Sequence, residues 1–206
     1  MFITFEGGEG TGKTTLIAMI KEYLINAGKE VVVTREPGGS KIAEKIRQVL
    51  LDNHNTEITP HTEALLFAAS RAQHLDEVII PNLDKIILCD RYIDSSMAYQ
   101  AYGRDLGEEF VKSINTYALN YMPDLTFYID LDPEVGISRV NKNRTDKKDR
   151  LDSEKFNFHI KVREGYLKLV CKDQDRVMKI DGNRSIEEIY KEILKVILER
   201  LWMILS

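Results

Sequence analysis

The sequence has little of what would take it outside the ordinary globular classes. Its 206 residues include two cysteines, five prolines and one tryptophan. Cys89 falls in a predicted buried strand and Cys171 in a predicted helix, so neither a disulfide framework nor a thiolate metal site is expected. Reduced thiols point to the cytoplasm. The four histidines, at 54, 61, 74 and 159, form no ligand spacing. No apolar run approaches the roughly 20 residues that span a bilayer. The first residues read as a strand rather than a targeting segment, so no membrane partner is expected. Positive charge is not in excess either. Lys and Arg number 29 against 33 Asp and Glu, and the formal charge of −4 argues against a general nucleic-acid binder. Neither a repeat nor a linker interrupts the chain. With 43% hydrophobic and 30% charged residues, it suits one domain over 1–206 with a full core.

What is present is concentrated near the N-terminus. Gly7-Gly8-Glu9-Gly10-Thr11-Gly12-Lys13-Thr14-Thr15 satisfies the pattern G-x-x-x-x-G-K-[ST]. An apolar run, Met1 to Phe5, precedes it, and Leu16, Ile17, Ile20, Tyr23 and Leu24 follow at helical spacing. A strand before and a helix after separate a phosphate loop from a chance match. The glycines let the backbone aim N–H groups inward, and the helix N-terminus adds positive charge. Lys13 then reaches the β- and γ-phosphates of ATP, and the Thr14 hydroxyl can ligate Mg²⁺.

Further along, Glu30 to Thr34 reads as a fully buried parallel-sheet strand, and Arg35-Glu36-Pro37-Gly38-Gly39 as a turn. Ser40 is placed to cap a helix with an apolar face of Ile42, Ile46, Val49 and Leu50. Residues 62–80 form a long helical stretch, apolar nearly all round at Ala64 to Ala69. Strands are predicted at 85–89, 125–130 and 177–181, with helices at 94–102, 108–121, 134–140 and 154–171. Ser185 and Glu188 make a capping box for a last helix. Its tail, Leu201 to Leu205, is expected to pack on the core. Five strands separated by helices predict an α/β fold with a parallel sheet, its ligand at the carboxyl ends of the strands. Glu36, Asp90 and Arg91 all emerge there.

Asp90 closes an apolar strand, where a carboxylate can hold Mg²⁺ or simply solvate the strand end. Arg91 follows directly, and its planar fork suits phosphate. A second phosphate site would separate a kinase from a plain ATPase. The cations available for it are Arg35, Arg47, Arg71 and Arg91. Arg47 and Arg71 lie on helical stretches, where a charge also serves as solvated surface.

Several blocks, in order and at matching spacing, closely resemble bacterial thymidylate kinases. They are Gly7 to Thr15, Thr34 to Gly39, Phe67-Ala68-Ala69-Ser70-Arg71, Asp90-Arg91-Tyr92-Ile93-Asp94-Ser95-Ser96 and Ala98-Tyr99-Gln100. The resemblance covers essentially the whole chain. It implies the three-layer P-loop fold with a five-stranded parallel sheet, transfer of a phosphoryl group from ATP to dTMP with Mg²⁺, and a homodimer. By the same resemblance Phe67 stacks on thymine, Arg71 and Gln100 bond its edge, and Tyr99 crowds the ribose 2′ position. Glu9 meets the acceptor's 3′-hydroxyl, Arg91 clamps the dTMP phosphate, Arg47 and Glu36 lie near it, and Ser96 belongs to the same pocket. A cis bond before Pro37 is also implied.

Some members of that family carry a catalytic arginine in the phosphate loop, whereas Gly8 to Thr11 contains none. The bacterial type supplies it from a short mobile lid, here about 139–152. Arg144 is the favoured residue, with Arg139 and Arg150 supporting. A deoxynucleoside kinase shares the loop and the acid–Arg pair, and a non-catalytic nucleotide binder would keep the loop alone. The arginines suited to a phosphorylated acceptor argue against the first, and the intact Lys13, Asp90 and Arg91 against the second.

Overall fold

A computed structural model describes residues 1–143, 149–152 and 154–205. Five strands, β1 (Phe2–Glu6), β2 (Val31–Arg35), β3 (Ile86–Asp90), β4 (Leu125–Asp130) and β5 (Val177–Asp181), form one all-parallel sheet. The order β2-β3-β1-β4-β5 puts β1 in the middle, paired to β3 through Phe5↔Asp90 and to β4 through Phe5↔Phe127. Side chains alternate across the sheet with period two. Ile3 and Phe5 therefore face one layer, α1 (Lys13–Asn26) and α8 (Ile186–Leu205), where they meet Leu16, Ile20, Ile193 and Ile197. Phe2 and Tyr128 face the other layer. There α3 (Pro60–His74), the short α4 (Ile93–Ser96), α5 (Glu108–Ile114) and α7 (Phe156–Lys172) lie with the π-helical turns Leu75–Ile79 and Met97–Gly103. Two more helices, α2 (Lys41–Leu51) and α6 (Pro133–Asn143), complete the three-layer α/β fold.

Five expectations change. The helix predicted at 108–121 ends at Ile114. β2 is an edge strand rather than an interior one, and Val33 is 42% exposed. The long stretch over 62–80 is a helix only from Pro60 to His74, with Thr59 as its cap, and then widens into the π-helical turn. Ser40 stands at the N-terminus of α2 without capping it; its hydroxyl is buried and unpartnered. Trp202 is 75% exposed, so the tail does not pack there, although Leu201 does. The Ser185–Glu188 capping box forms as its spacing predicts, with Glu188 N donating to Ser185 Oγ at 3.3 Å and Ser185 N to Glu188 Oε2 at 3.0 Å. No helix of the described residues is long and apolar enough to cross a membrane.

Candidate active site

The phosphate loop leaves the carboxyl end of the central strand. Gly7 has φ 142°, and a Cβ there would lie 2.6 Å from Ile129 O on the neighbouring strand. Gly12 sits at φ 85° as the residue before α1. Both conformations favour glycine. Lys13 folds back into the loop it follows: its Nζ donates to Gly7 O at 3.1 Å, Gly8 O at 2.9 Å and Thr11 Oγ1 at 3.2 Å. Burial, with the Arg91 charge added, draws Lys13 below the ordinary lysine value of 10.5. The ammonium is thus held by weak neutral acceptors, which anionic phosphate oxygens can replace.

Next to it, Thr14 Oγ1 donates to Asp90 Oδ2 at 3.4 Å, while Asp90 Oδ1 is buried with no partner. Arg91 follows in the left-handed region at φ 68°, costly for a side chain of this size. That backbone turn sends the guanidinium back over the loop. Its Nη2 donates to Glu9 Oε1 at 2.6 Å, its Nη1 to Ser95 Oγ at 3.3 Å, and it lies 5.1 Å above the Tyr99 ring.

A cavity of about 1150 Å³ runs from this loop across the carboxyl ends of the strands. Glu9, Gly10, Thr11, Gly12, Lys13, Thr14 and Thr15 line one end. Glu36, Arg47, Phe67, Arg71, Asp90, Arg91, Ser96, Tyr99 and Gln100 line the rest, so residues 36 to 100 converge on one space. Gly7 and Gly8 lie behind, as acceptors for Lys13. Arg47 Nη1 donates to Pro37 O at 2.8 Å, just after the cis Glu36–Pro37 bond. Ser96 Oγ is buried and unpartnered.

Two predicted side chains, one on a helix and one in a turn, are far more deeply engaged than solvated surface positions would be. Arg71 donates to Glu36 Oε2 at 2.7 Å, Asn115 Oδ1 at 2.7 Å and Tyr92 O at 3.1 Å. Glu36 spends its other oxygen on His74 Nδ1 at 3.0 Å. Of the lid residues, Arg139 Nη1 donates to Gly182 O at 3.2 Å, and Arg150 is bound to Leu50 O and Glu63, so neither reaches the loop. Arg144 lies outside the described residues.

The family model described as Thymidylate kinase matches residues 5–193. The chain belongs to the thymidylate kinase family. A curated thymidylate kinase of Acholeplasma laidlawii is 70% identical over 201 residues, covering 98% of this chain and 100% of that relative. One from Clostridium novyi is 49% identical, covering 93% and 95%. A crystal structure of thymidylate kinase from Ehrlichia chaffeensis superposes with a TM-score of 0.76 at 33% identity, covering 96% and 98%.

Two carboxylates of this thymidylate kinase fold escaped the sequence reading. Glu6 ends β1 fully buried and accepts from Tyr92 N at 2.7 Å, Ser95 Oγ at 2.5 Å and Tyr166 OH at 2.8 Å. It fixes the chain just after Arg91 and ties it to Tyr166 of α7. Its signal was an acid closing a strand that is apolar except at Thr4. Glu63 is buried on α3, in one helical stripe with Phe67, Ser70 and His74. Acid, hydroxyl and imidazole at that spacing were readable as a polar seam.

Burial, with the Asp94 carboxylate nearby, pushes Glu6 up to about 7 from an ordinary 4.5. The folded state therefore binds this proton more tightly than the unfolded one, and this group's contribution falls as pH rises from about 4.5 to about 7. Relative to the wild type, Glu6→Gln should gain stability at pH 7 over pH 5. Urea unfolding at both values checks this; an identical pH dependence in the two proteins would contradict it.

Proposed function

We infer that this thymidylate kinase transfers the γ-phosphoryl of ATP to dTMP, giving dTDP and ADP. The observation that carries the reading is a single cavity lined by the phosphate loop, by Arg91 folded over that loop, and by Phe67, Arg71 and Gln100 beyond it. ATP hydrolysis alone would need only the first. A nucleoside monophosphate has its second pKa near 6, so its attacking oxygen is already ionised at pH 7. Catalysis then rests on alignment and charge neutralisation, and no general base is required.

Each side chain has a part in that alignment. The backbone N–H groups of Gly8 to Thr15 and Lys13 hold the donor phosphates. Arg91 exchanges Glu9 for the acceptor phosphate, which frees Glu9 for the 3′-hydroxyl. Arg47 lies near the same phosphate. Phe67, 9% exposed, stacks on the base, Arg71 and Gln100 read its edge with Ser96 beside them, and Tyr99 beneath Arg91 crowds the 2′ position. Glu36 acts by holding Arg71. Arg144 supplies the lid arginine over 139–152.

Thr14 and Asp90 fit Mg²⁺, because one Asp90 oxygen is unpartnered and the other lies 3.4 Å from the Thr14 hydroxyl. Mg²⁺ keeps several waters and takes one or two protein oxygens beside phosphate. Held by these two oxygens, it would offset the negative charge on the transferring phosphoryl group.

A coupled ADP-release assay tests the activity. Turnover should require dTMP, and thymidine should not replace it. Equal use of thymidine would make the protein a deoxynucleoside kinase, and ADP release without an acceptor an ATPase. The working form is inferred to be a homodimer, since the packed pair α2 and α3 leaves Ile42, Val49 and Leu65 exposed, and its setting the cytoplasm. A monomer mass in sedimentation equilibrium would refute the dimer.

A further inference from the structure

At the base end of the cavity, the Gln100 side chain is buried and shares its surroundings with one acid. Glu63 Oε1 accepts from Gln100 Nε2 at 3.0 Å and from Arg104 Nε at 3.1 Å. Glu63 Oε2 accepts from Arg104 Nη2 at 2.9 Å and Arg150 Nη2 at 2.7 Å. Four donors fill the four acceptor positions of a carboxylate. Burial, the largest single influence, raises this acid, but the hydrogen bonds and charge of Arg104, with the bonds from Gln100 and Arg150, together hold Glu63 below the ordinary 4.5. It is therefore ionised at neutral pH, and an ionised carboxylate only accepts.

That settles which way the Gln100 amide points. Its nitrogen and oxygen are alike in shape, so packing does not choose between them. Facing Glu63, the oxygen would meet a negative charge without a proton, whereas the nitrogen donates to it. We propose that Glu63 is a positioning residue for base selection. By claiming the amide nitrogen of Gln100, it leaves only the amide oxygen for the nucleobase. The site then accepts a pyrimidine that carries a proton on N3, thymine or uracil. Cytosine is rejected, because its N3 is itself an acceptor. This rests on the dTMP kinase reading and assigns its base preference to a residue that touches no base. The same carboxylate holds Arg150, whose Nε and backbone N are fixed on Leu50 O and Leu51 O at 2.8 and 3.2 Å. The base pocket and the chain at 149–152 thus share one anchor.

The test compares kcat/KM for dTMP and dCMP in the full-length wild type, Glu63→Gln, Gln100→Leu and the double variant. A glutamine at 63 offers both a donor and an acceptor, so the Gln100 amide can turn either way. The dTMP/dCMP ratio should fall about tenfold or more in Glu63→Gln, the scale of the penalty for a buried acceptor left facing another acceptor. In the Gln100→Leu background the same change should leave the ratio within about twofold. A purely structural Glu63 would depress both substrates together and leave the ratio as it was, which overturns the proposal. So does an equal fall in the Gln100→Leu background.

If Glu63→Gln does not fold, the wild-type side-chain amide signal of Gln100 decides, assigned by its loss in Gln100→Leu. Slow solvent exchange and a nuclear Overhauser effect from the Gln100 amide protons to the Arg104 side chain, which shares Glu63 Oε1, support a nitrogen turned to Glu63; rapid exchange without that effect refutes it. A wild type that turns over dTMP with an unmoved ratio in the variant sinks this inference alone. One that does not turn over dTMP sinks the activity assignment as well.

Discussion

Lys13→Ala should give a folded protein whose kcat is lower by at least about 10²–10³-fold, the scale of losing one preorganised donor to developing charge. Nζ is the only cation that the phosphate loop itself carries, and it rests on Gly7 O, Gly8 O and Thr11 Oγ1 at about hydrogen-bond length. In the transition state those neutral acceptors are exchanged for the oxygens between which the phosphoryl moves, where the charge is greatest. The fold does not depend on the ammonium. α1 is held by Leu16, Ile17, Ile20 and Leu24 against β1 and α8, all of them buried. Water in the space that the side chain vacates can take over the loop carbonyls it leaves behind. Circular dichroism and the rate, measured on one sample, check both halves. A variant that keeps more than a tenth of the wild-type kcat would remove Lys13 from the transition state.

Features that depend on neighbouring residues were legible in the sequence. The phosphate loop, its flanking strand and helix, and the Ser185–Glu188 box are each written within a few residues, and local chemistry suffices to read them. Strand limits followed from apolar runs for the same reason. β2 was misjudged because Val31, Val32 and Val33 look alike on an edge or in the middle; only the sheet order distinguishes them. Trp202 follows Leu201 in the chain but lies about 100° around the helix from it, off the stripe of Ile189, Ile193 and Ile197.

The polar contacts beneath the site were not legible, because their partners are far apart. Glu63 meets Arg104 and Arg150 across 41 and 87 residues, and Glu6 meets Tyr166 across 160. No spacing rule joins such pairs. The consequence reaches experiment. Read as an exposed helical arginine, Arg71 invites an alanine substitution as a simple probe of dTMP binding. In the fold that change would strip Glu36 of its buried counter-charge, a loss of about 3–5 kcal/mol in comparable pairs. Stability and affinity would then move together, so base recognition is better probed through Gln100.

Arg144→Ala should lower kcat by about 10³-fold while the KM for dTMP stays nearly constant. The phosphate loop lacks an arginine between Gly8 and Thr11, so the charge on the transferring group must be met from elsewhere. Residues 139–150 hold six cations (Arg139, Lys142, Arg144, Lys147, Lys148, Arg150) against Asp146 and Asp149, a local +4 in a chain of −4. Of the three arginines, Arg139 is bonded to Gly182 O, and Arg150 has donors on both Leu50 O and the buried Glu63. Drawing Arg150 out would leave Glu63 partly unpaired, at a cost that a residue used in every turnover should not carry. Arg144 has the central place in the segment, and an arginine acting in this way on a phosphoryl group is worth 10³-fold or more in other enzymes. On the proposed role Arg144 would meet the β- and γ-phosphates rather than thymine, so acceptor affinity should be spared. Single-turnover rates at saturating ATP and dTMP, with dTMP binding measured separately, give the two quantities. If Arg144→Ala keeps kcat within threefold, the residue is not the finger; a collapse in Arg150→Ala instead would mean that Arg150 leaves Glu63 during the cycle.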